Sequence, residues 1–75
     1  MTTTPLEDAA DRLLELGRRR DLLEVRVEYL ARDIADLASA GQTMSTAFDA
    51  RVIDYRHARD ELADVRREYA AVLTA

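Results

Sequence analysis

The sequence predicts an all-α fold: an antiparallel two-helix hairpin of coiled-coil type, expected to complete a four-helix bundle by dimerisation. Three observations predict it. Apolar residues recur with a heptad period along residues 6–37 and again along 44–72. A single short break, Ala40-Gly41-Gln42-Thr43, separates the two stretches. The composition, 48% hydrophobic and 35% charged and rich in Ala, Leu, Arg, Asp and Glu, is that of long helices and coiled coils.

The first helix is expected over about 5–39. Thr4 suits the N-cap, Pro5 the first helical position, and Glu7 stands three residues after Thr4 to close a capping box. Glu7, Asp8 and Asp11 favour the positive end of the helix dipole. Asp8–Arg12, Glu15–Arg19 and Glu28–Arg32 are i,i+4 pairs with the acid first, the more stabilising order. Gly17 is the one poor helix former, at a cost of about 1 kcal/mol relative to Ala. Such a helix is about 50 Å long.

Gly41 is the expected left-handed residue past the end of the first helix, with the turn over 40–43. The second helix is expected over about 44–73, capped by Thr43, Ser45 or Thr46, with Asp49 favouring Thr46. A connection this short makes the two helices antiparallel neighbours, so residues 1–75 form a single hairpin domain.

The heptads give the register. In the first helix Leu6, Leu13, Arg20, Val27 and Ile34 take position a, and Ala9, Leu16, Leu23, Leu30 and Leu37 take d. In the second, Phe48, Tyr55, Leu62 and Tyr69 take a, and Met44, Arg51, Ala58, Val65 and Val72 take d. Pairing residues whose numbers sum to 85 sets each a opposite a d. Leu37 then meets Phe48, Leu30 meets Tyr55, Leu23 meets Leu62 and Leu16 meets Tyr69, with Leu6 and Ala9 beyond the end of the second helix.

Two helices do not use all the apolar surface. Leu14, Leu22, Val25 and Tyr29 form a second stripe away from the seam, and Val52, Ile53 and Leu73 lie off the seam of the second helix. Ala10, Gly17, Ala31 and Ala38 add a strip of small residues beside the seam. Exposing a large aliphatic side chain forfeits about 1.5–3 kcal/mol of burial, and a chain of this size has little to spare. Leu14, Leu22, Val25, Tyr29, Val52 and Ile53 are therefore the expected contact residues for a partner: a second copy forming a homodimer, or another helical protein.

Arg20 and Arg51 interrupt the seam. Polar seam residues commonly fix register and oligomeric state, and each arginine needs acids or water at its tip. The register offers Glu61 and Glu68 to Arg20, and Asp33 and Asp54 to Arg51. In the run Arg18-Arg19-Arg20 the side chains fan round the helix among Glu15, Asp21 and Glu24, which describes a solvated face. His57 falls at an outward position beside acids, and Tyr55 and Tyr69 bury their rings at the seam with the hydroxyls at its edge.

Several function classes are not expected. There is no Cys and a single His, which argues against disulfides and structural zinc. No Glu-x-x-His helical metal motif, Ser/His/Asp set or Gly-rich phosphate loop can be drawn. All eleven basic residues are Arg, and the formal net charge is −4, spread along the chain, unlike the basic footprint of a nucleic-acid or anionic-membrane binder. No apolar run approaches a membrane span, and the N-terminal residues do not read as a signal peptide, so a cytoplasmic location is expected. No cofactor, small-molecule substrate or catalytic activity is expected.

The stretch Leu13-Leu14-Glu15-Leu16-Gly17-Arg18-Arg19-Arg20-Asp21-Leu22-Leu23 resembles the first helix of the all-helical chorismate mutases over about a quarter of the chain. That resemblance implies an enzyme holding an anionic substrate with Arg20 and Arg51, but the chain departs from the pattern in having no Lys and no third helix. The hairpin outline is similar to the small helical substrates of actinobacterial type VII secretion, whose turn carries Trp-x-Gly. Here the turn reads Ala40-Gly41-Gln42, and the Tyr29-to-Asp33 spacing falls inside a helix. The sequence favours a non-catalytic helical oligomerisation or protein-interaction module. The alternatives are a small regulator or inhibitor, antitoxin-like or phage-encoded, that binds a partner protein, and the anion-binding enzyme.

Overall fold

The computed structural model describes residues 5–74, which form two helices, α1 (Pro5–Ser39) and α2 (Thr46–Thr74), packed along each other. Thr4, and with it the capping box to Glu7, lies outside the described residues. The molecule is a rod with extents of 57 × 18 × 15 Å.

The turn is built as its residue types dictate. Gly41 has φ 75°, a conformation that costs an L side chain but not glycine. The Gln42 amide donates to the Leu37 carbonyl at 2.9 Å and the Gly41 amide to the Ala38 carbonyl at 3.0 Å. This pair of bonds is the Schellman closure of a helix C-terminus.

Two expectations about α2 are corrected. Its N-cap is Ser45, not Thr46: the Ser45 hydroxyl accepts from the Phe48 amide at 3.1 Å and donates to the Gln42 carbonyl at 2.7 Å. The hydroxyl thus ties the new helix to the end of the turn, which Thr43 and Thr46 are not placed to do. α2 begins at Thr46, inside the expected 44–46 start, and Met44, assigned to the seam, precedes the helix and is 95% exposed.

The core is a single file along the seam. Leu16, Leu23 and Leu30 of α1 and Ala58, Leu62 and Val65 of α2 are buried, all of them at a or d. Val27, Tyr69 and Val72 pack at the edges of the Leu16–Leu23–Leu62–Val65 cluster. Among the described residues no polar side chain is buried, so no desolvation cost is set against this thin core.

Ion pairs between the helices report the register. Arg12 meets Glu68 at 2.6 Å, Arg51 meets Asp33 at 2.7 Å and Arg66 meets Glu24 at 3.1 Å. Their residue numbers sum to 80, 84 and 90, bracketing the expected 85. Leu6 lies beyond the end of α2 and is 80% exposed. Of the intrahelical pairs, Glu28–Arg32 closes at 3.6 Å, whereas Arg12 turns to Glu15 and Glu68 rather than to Asp8.

Candidate interaction surface

With helix 2 of the hairpin covering the a and d positions of α1, the side of α1 turned away from α2 consists of positions b, c and f. Leu14, Leu22, Val25 and Tyr29 occupy these positions, and they are 58%, 73%, 66% and 65% exposed. Scattered apolar residues on a surface are ordinary. Here the three at 22, 25 and 29 follow i, i+3, i+7 spacing, which stacks them in one line along the helix.

The outer face also carries a defined depression. Val25, Glu28, Tyr29 and Arg32 line a shallow groove. These are residues i, i+3, i+4 and i+7, the four that bound the hole receiving one side chain of a neighbouring helix in coiled-coil packing. Glu28 and Arg32 pair along one wall, and Val25 and Tyr29 supply the apolar part of the lining.

The six expected contact residues do not form one surface. Val52 flanks the seam at position e and is half-buried against the hairpin itself. Ile53, at f of α2, is 53% exposed but faces outward from α2, on the side opposite the α1 stripe. The period that identifies exposed apolar positions in each helix leaves open which of them end up side by side, because that depends on how the two helices face each other. One partner helix lying on α1 therefore covers Leu14, Leu22, Val25 and Tyr29 and leaves Ile53 free.

The seam arginines divide in the same way. Arg51 is placed as expected, with Asp33 at 2.7 Å and Asp54 at 3.6 Å. Arg20 does not pair with Glu61 or Glu68. It pairs with its neighbour Asp21, the guanidinium lying 3.1 Å from that carboxylate, and its Cζ stands 5.1 Å from the centroid of the Tyr69 ring. Glu68 is held by Arg12 instead. The hydrogen bonds that Arg20 donates to the Asp21 carboxylate hold the Arg20 pKa above its ordinary value, so the side chain stays cationic.

The sequence reading missed the clips on both flanks of the seam. Arg12 and Glu68 are both at g, and Glu24 and Arg66 are both at e. Antiparallel helices bring like flanks together, so pairing g with g and e with e is the signal that finds them. Beside the e flank, a trough runs past Ala10, Gly17 and Tyr69; a Cβ at Gly17 would lie 3.9 Å from the Tyr69 ring, an ordinary contact.

Among the described residues no group of three His, Asp or Glu side chains is placed to hold a metal ion, and no helix is long and apolar enough to cross a membrane. Comparison with family models, with curated proteins and with solved structures finds no match to this chain.

Proposed function

We propose that this chain is a non-catalytic helical interaction module, and that its working surface is the outer face of α1. The observation that carries this reading is the line of Leu22, Val25 and Tyr29, each about two-thirds exposed or more on a face that α2 does not reach. Desolvating such a line gives association its main driving force.

The surface area of the chain supports the same reading. Its accessible surface is 5861 Å², whereas a compact monomer of 8.5 kDa exposes about 4,650 Å². The excess of about 1,200 Å² exceeds the roughly 800 Å² that each partner loses in a standard protein–protein contact.

The structural role of the seam arginines fits the module better than an anion site does. Arg20 is paired with Asp21 and Arg51 with Asp33 and Asp54, so an incoming anion would have to displace carboxylates already in contact. A partner other than this chain remains the second reading. Its support is the same stripe, which fits any amphipathic helix of matching spacing.

The test is to change Leu22 and Val25 together to Asp. Light scattering on a sizing column, with circular dichroism on the same peak, is expected to show lost assembly with helicity retained. A double variant that assembles like the unaltered chain would falsify this assignment of the surface. A monomeric, well-folded unaltered chain would direct the reading to a different protein as partner.

A further inference from the structure

We infer, resting on the reading of the outer face of α1 as the working surface, that its occupant is a basic amphipathic helix of another protein. The charge of the chain is concentrated on this face. Among positions b, c and f of α1, Glu7 and Asp8 stand in the first turn, where the helix dipole accounts for them. Asp11, Glu15, Asp21, Glu28 and Asp36 lie beyond that turn, all exposed, against Arg18 and Arg32 alone. The same positions of α2 are nearly balanced, with Asp49, Asp60 and Asp64 against Arg56 and Arg67. The net charge of −4 is thus carried by one side of the rod, the side that also carries Leu22, Val25 and Tyr29.

The acids are set around the apolar line in step with it. Glu15, Leu22, Tyr29 and Asp36 follow one another at seven-residue intervals, which makes one row along the helix with a carboxylate at each end. Asp21 and Glu28 flank Val25, four residues before it and three after. A helix laid on this face buries its own apolar line against Leu22, Val25 and Tyr29. One of its side chains enters the depression bounded by Val25, Glu28, Tyr29 and Arg32. The residues on either side of that line then come level with carboxylates.

These carboxylates are open to new cations. Asp11 and Asp36 enter no ion pair among the described residues. Glu28 meets Arg32 only at 3.6 Å, with both side chains 75% exposed, and a pair in water is readily exchanged. Lysines or arginines beside the partner's apolar line therefore find acids without breaking a buried contact.

A second copy is the poorer match, because it brings the same excess of acid. Laid parallel, Glu15 and Asp36 come level with their own copies. Laid antiparallel about Val25, Asp21 falls beside Glu28 and Arg18 beside Arg32. Like charges oppose association in either direction. Self-association through this face is therefore its weaker use, and salt strengthens it, whereas salt weakens the docking of a basic helix.

Two labelled model peptides test this, each long enough to span Glu15 to Asp36, about 32 Å of helix. Both carry leucines at alternating three- and four-residue spacing; the remaining positions are lysine in one and glutamate in the other. Fluorescence anisotropy against the intact chain is expected to show the Leu/Lys peptide bound about tenfold tighter or more than the Leu/Glu peptide. Its affinity is expected to fall as salt rises. Glu28→Gln with Asp36→Asn should weaken the Leu/Lys complex several-fold. Asp60→Asn with Asp64→Asn makes the same change of net charge on α2 and should leave it unaltered, each variant being checked for helicity by circular dichroism. Equal binding of the two peptides overturns the basic helix as occupant. Equal weakening by the two charge variants also overturns it, because the peptide then responds to net charge rather than to this face. No binding of either peptide overturns it as well, and leaves the face to the assembly test of Leu22 and Val25. A Leu/Lys complex unmoved by Leu22→Ser with Val25→Ser overturns the reading of the face itself, since the peptide then sits elsewhere.

Discussion

The Arg20 guanidinium stacks over the Tyr69 ring, with Cζ 5.1 Å from its centroid, while Asp21 holds the same group at 3.1 Å. A position that the heptad assigns to the core is thus filled by a cation bridging the seam and its surface. Because an exposed ion pair contributes little to stability, Arg20→Leu, which adds apolar contact at the seam, is expected to raise the melting temperature. The gain comes from added apolar contact and is read by circular dichroism under heating. Arg20→Lys keeps the charge but loses the guanidinium contact with the ring, so a small fall in melting temperature is expected. A melting temperature that falls with Leu would mean that the Arg20 network outweighs burial.

The two glycines are expected to respond to alanine with opposite signs. Gly41 sits at φ 75°, where an L side chain is strained, so Gly41→Ala should destabilise by about 1–2 kcal/mol. Gly17 is inside α1 with only ordinary contacts waiting for a Cβ, so Gly17→Ala should stabilise by about 1 kcal/mol. Urea titrations of the two variants check both signs, and two changes in the same direction would contradict the local geometry.

Ser45 and its threonine neighbours differ in what they hold. Removing the hydroxyl that accepts from Phe48 in Ser45→Ala is expected to cost about 1 kcal/mol. Thr43→Ala and Thr46→Ala should each change stability by less than about 0.5 kcal/mol. The comparison is made by thermal melts of the three single variants.

Leu22 and Leu23 are adjacent in sequence and lie in different environments, 73% and 7% exposed. Leu23→Ala should cost about 2–5 kcal/mol, a large share of the stability of so small a domain. Leu22→Ala should leave the hairpin itself nearly unchanged. If the outer face associates, the melting temperature of the unaltered chain rises with protein concentration, and Leu22→Ala is expected to weaken that dependence. Equal losses in the two variants at high dilution would contradict the assigned facing of α1.

Much of this architecture is legible in the residues. The heptad period places Leu16, Leu23, Leu30, Ala58, Leu62 and Val65 at the seam, and these are the buried residues. Gly41 marks the turn because few other residues accept its backbone conformation. What the period does not carry is the choice between nearly equivalent local partners. Ser45 rather than Thr46 becomes the cap because its hydroxyl reaches both Gln42 and Phe48. Arg20 takes Asp21 rather than Glu68 because Arg12 already holds Glu68. The same limit applies to the surface: Leu22, Val25 and Tyr29 are legible as a stripe from one helix alone, whereas setting Ile53 apart from them requires the facing of both helices.

The antiparallel path also fixes where the rod can be joined to something else. The start of α1 and the end of α2 lie at the pole opposite the Gly41 turn. A linker attached at either terminus leaves from that one pole, and the turn remains unencumbered. The hairpin therefore suits grafting into a surface loop of a carrier protein, with entry and exit on the same side. If two copies pair antiparallel through α1, their grafting poles point in opposite directions, and the pair becomes a spacer that holds two carriers apart at a set distance.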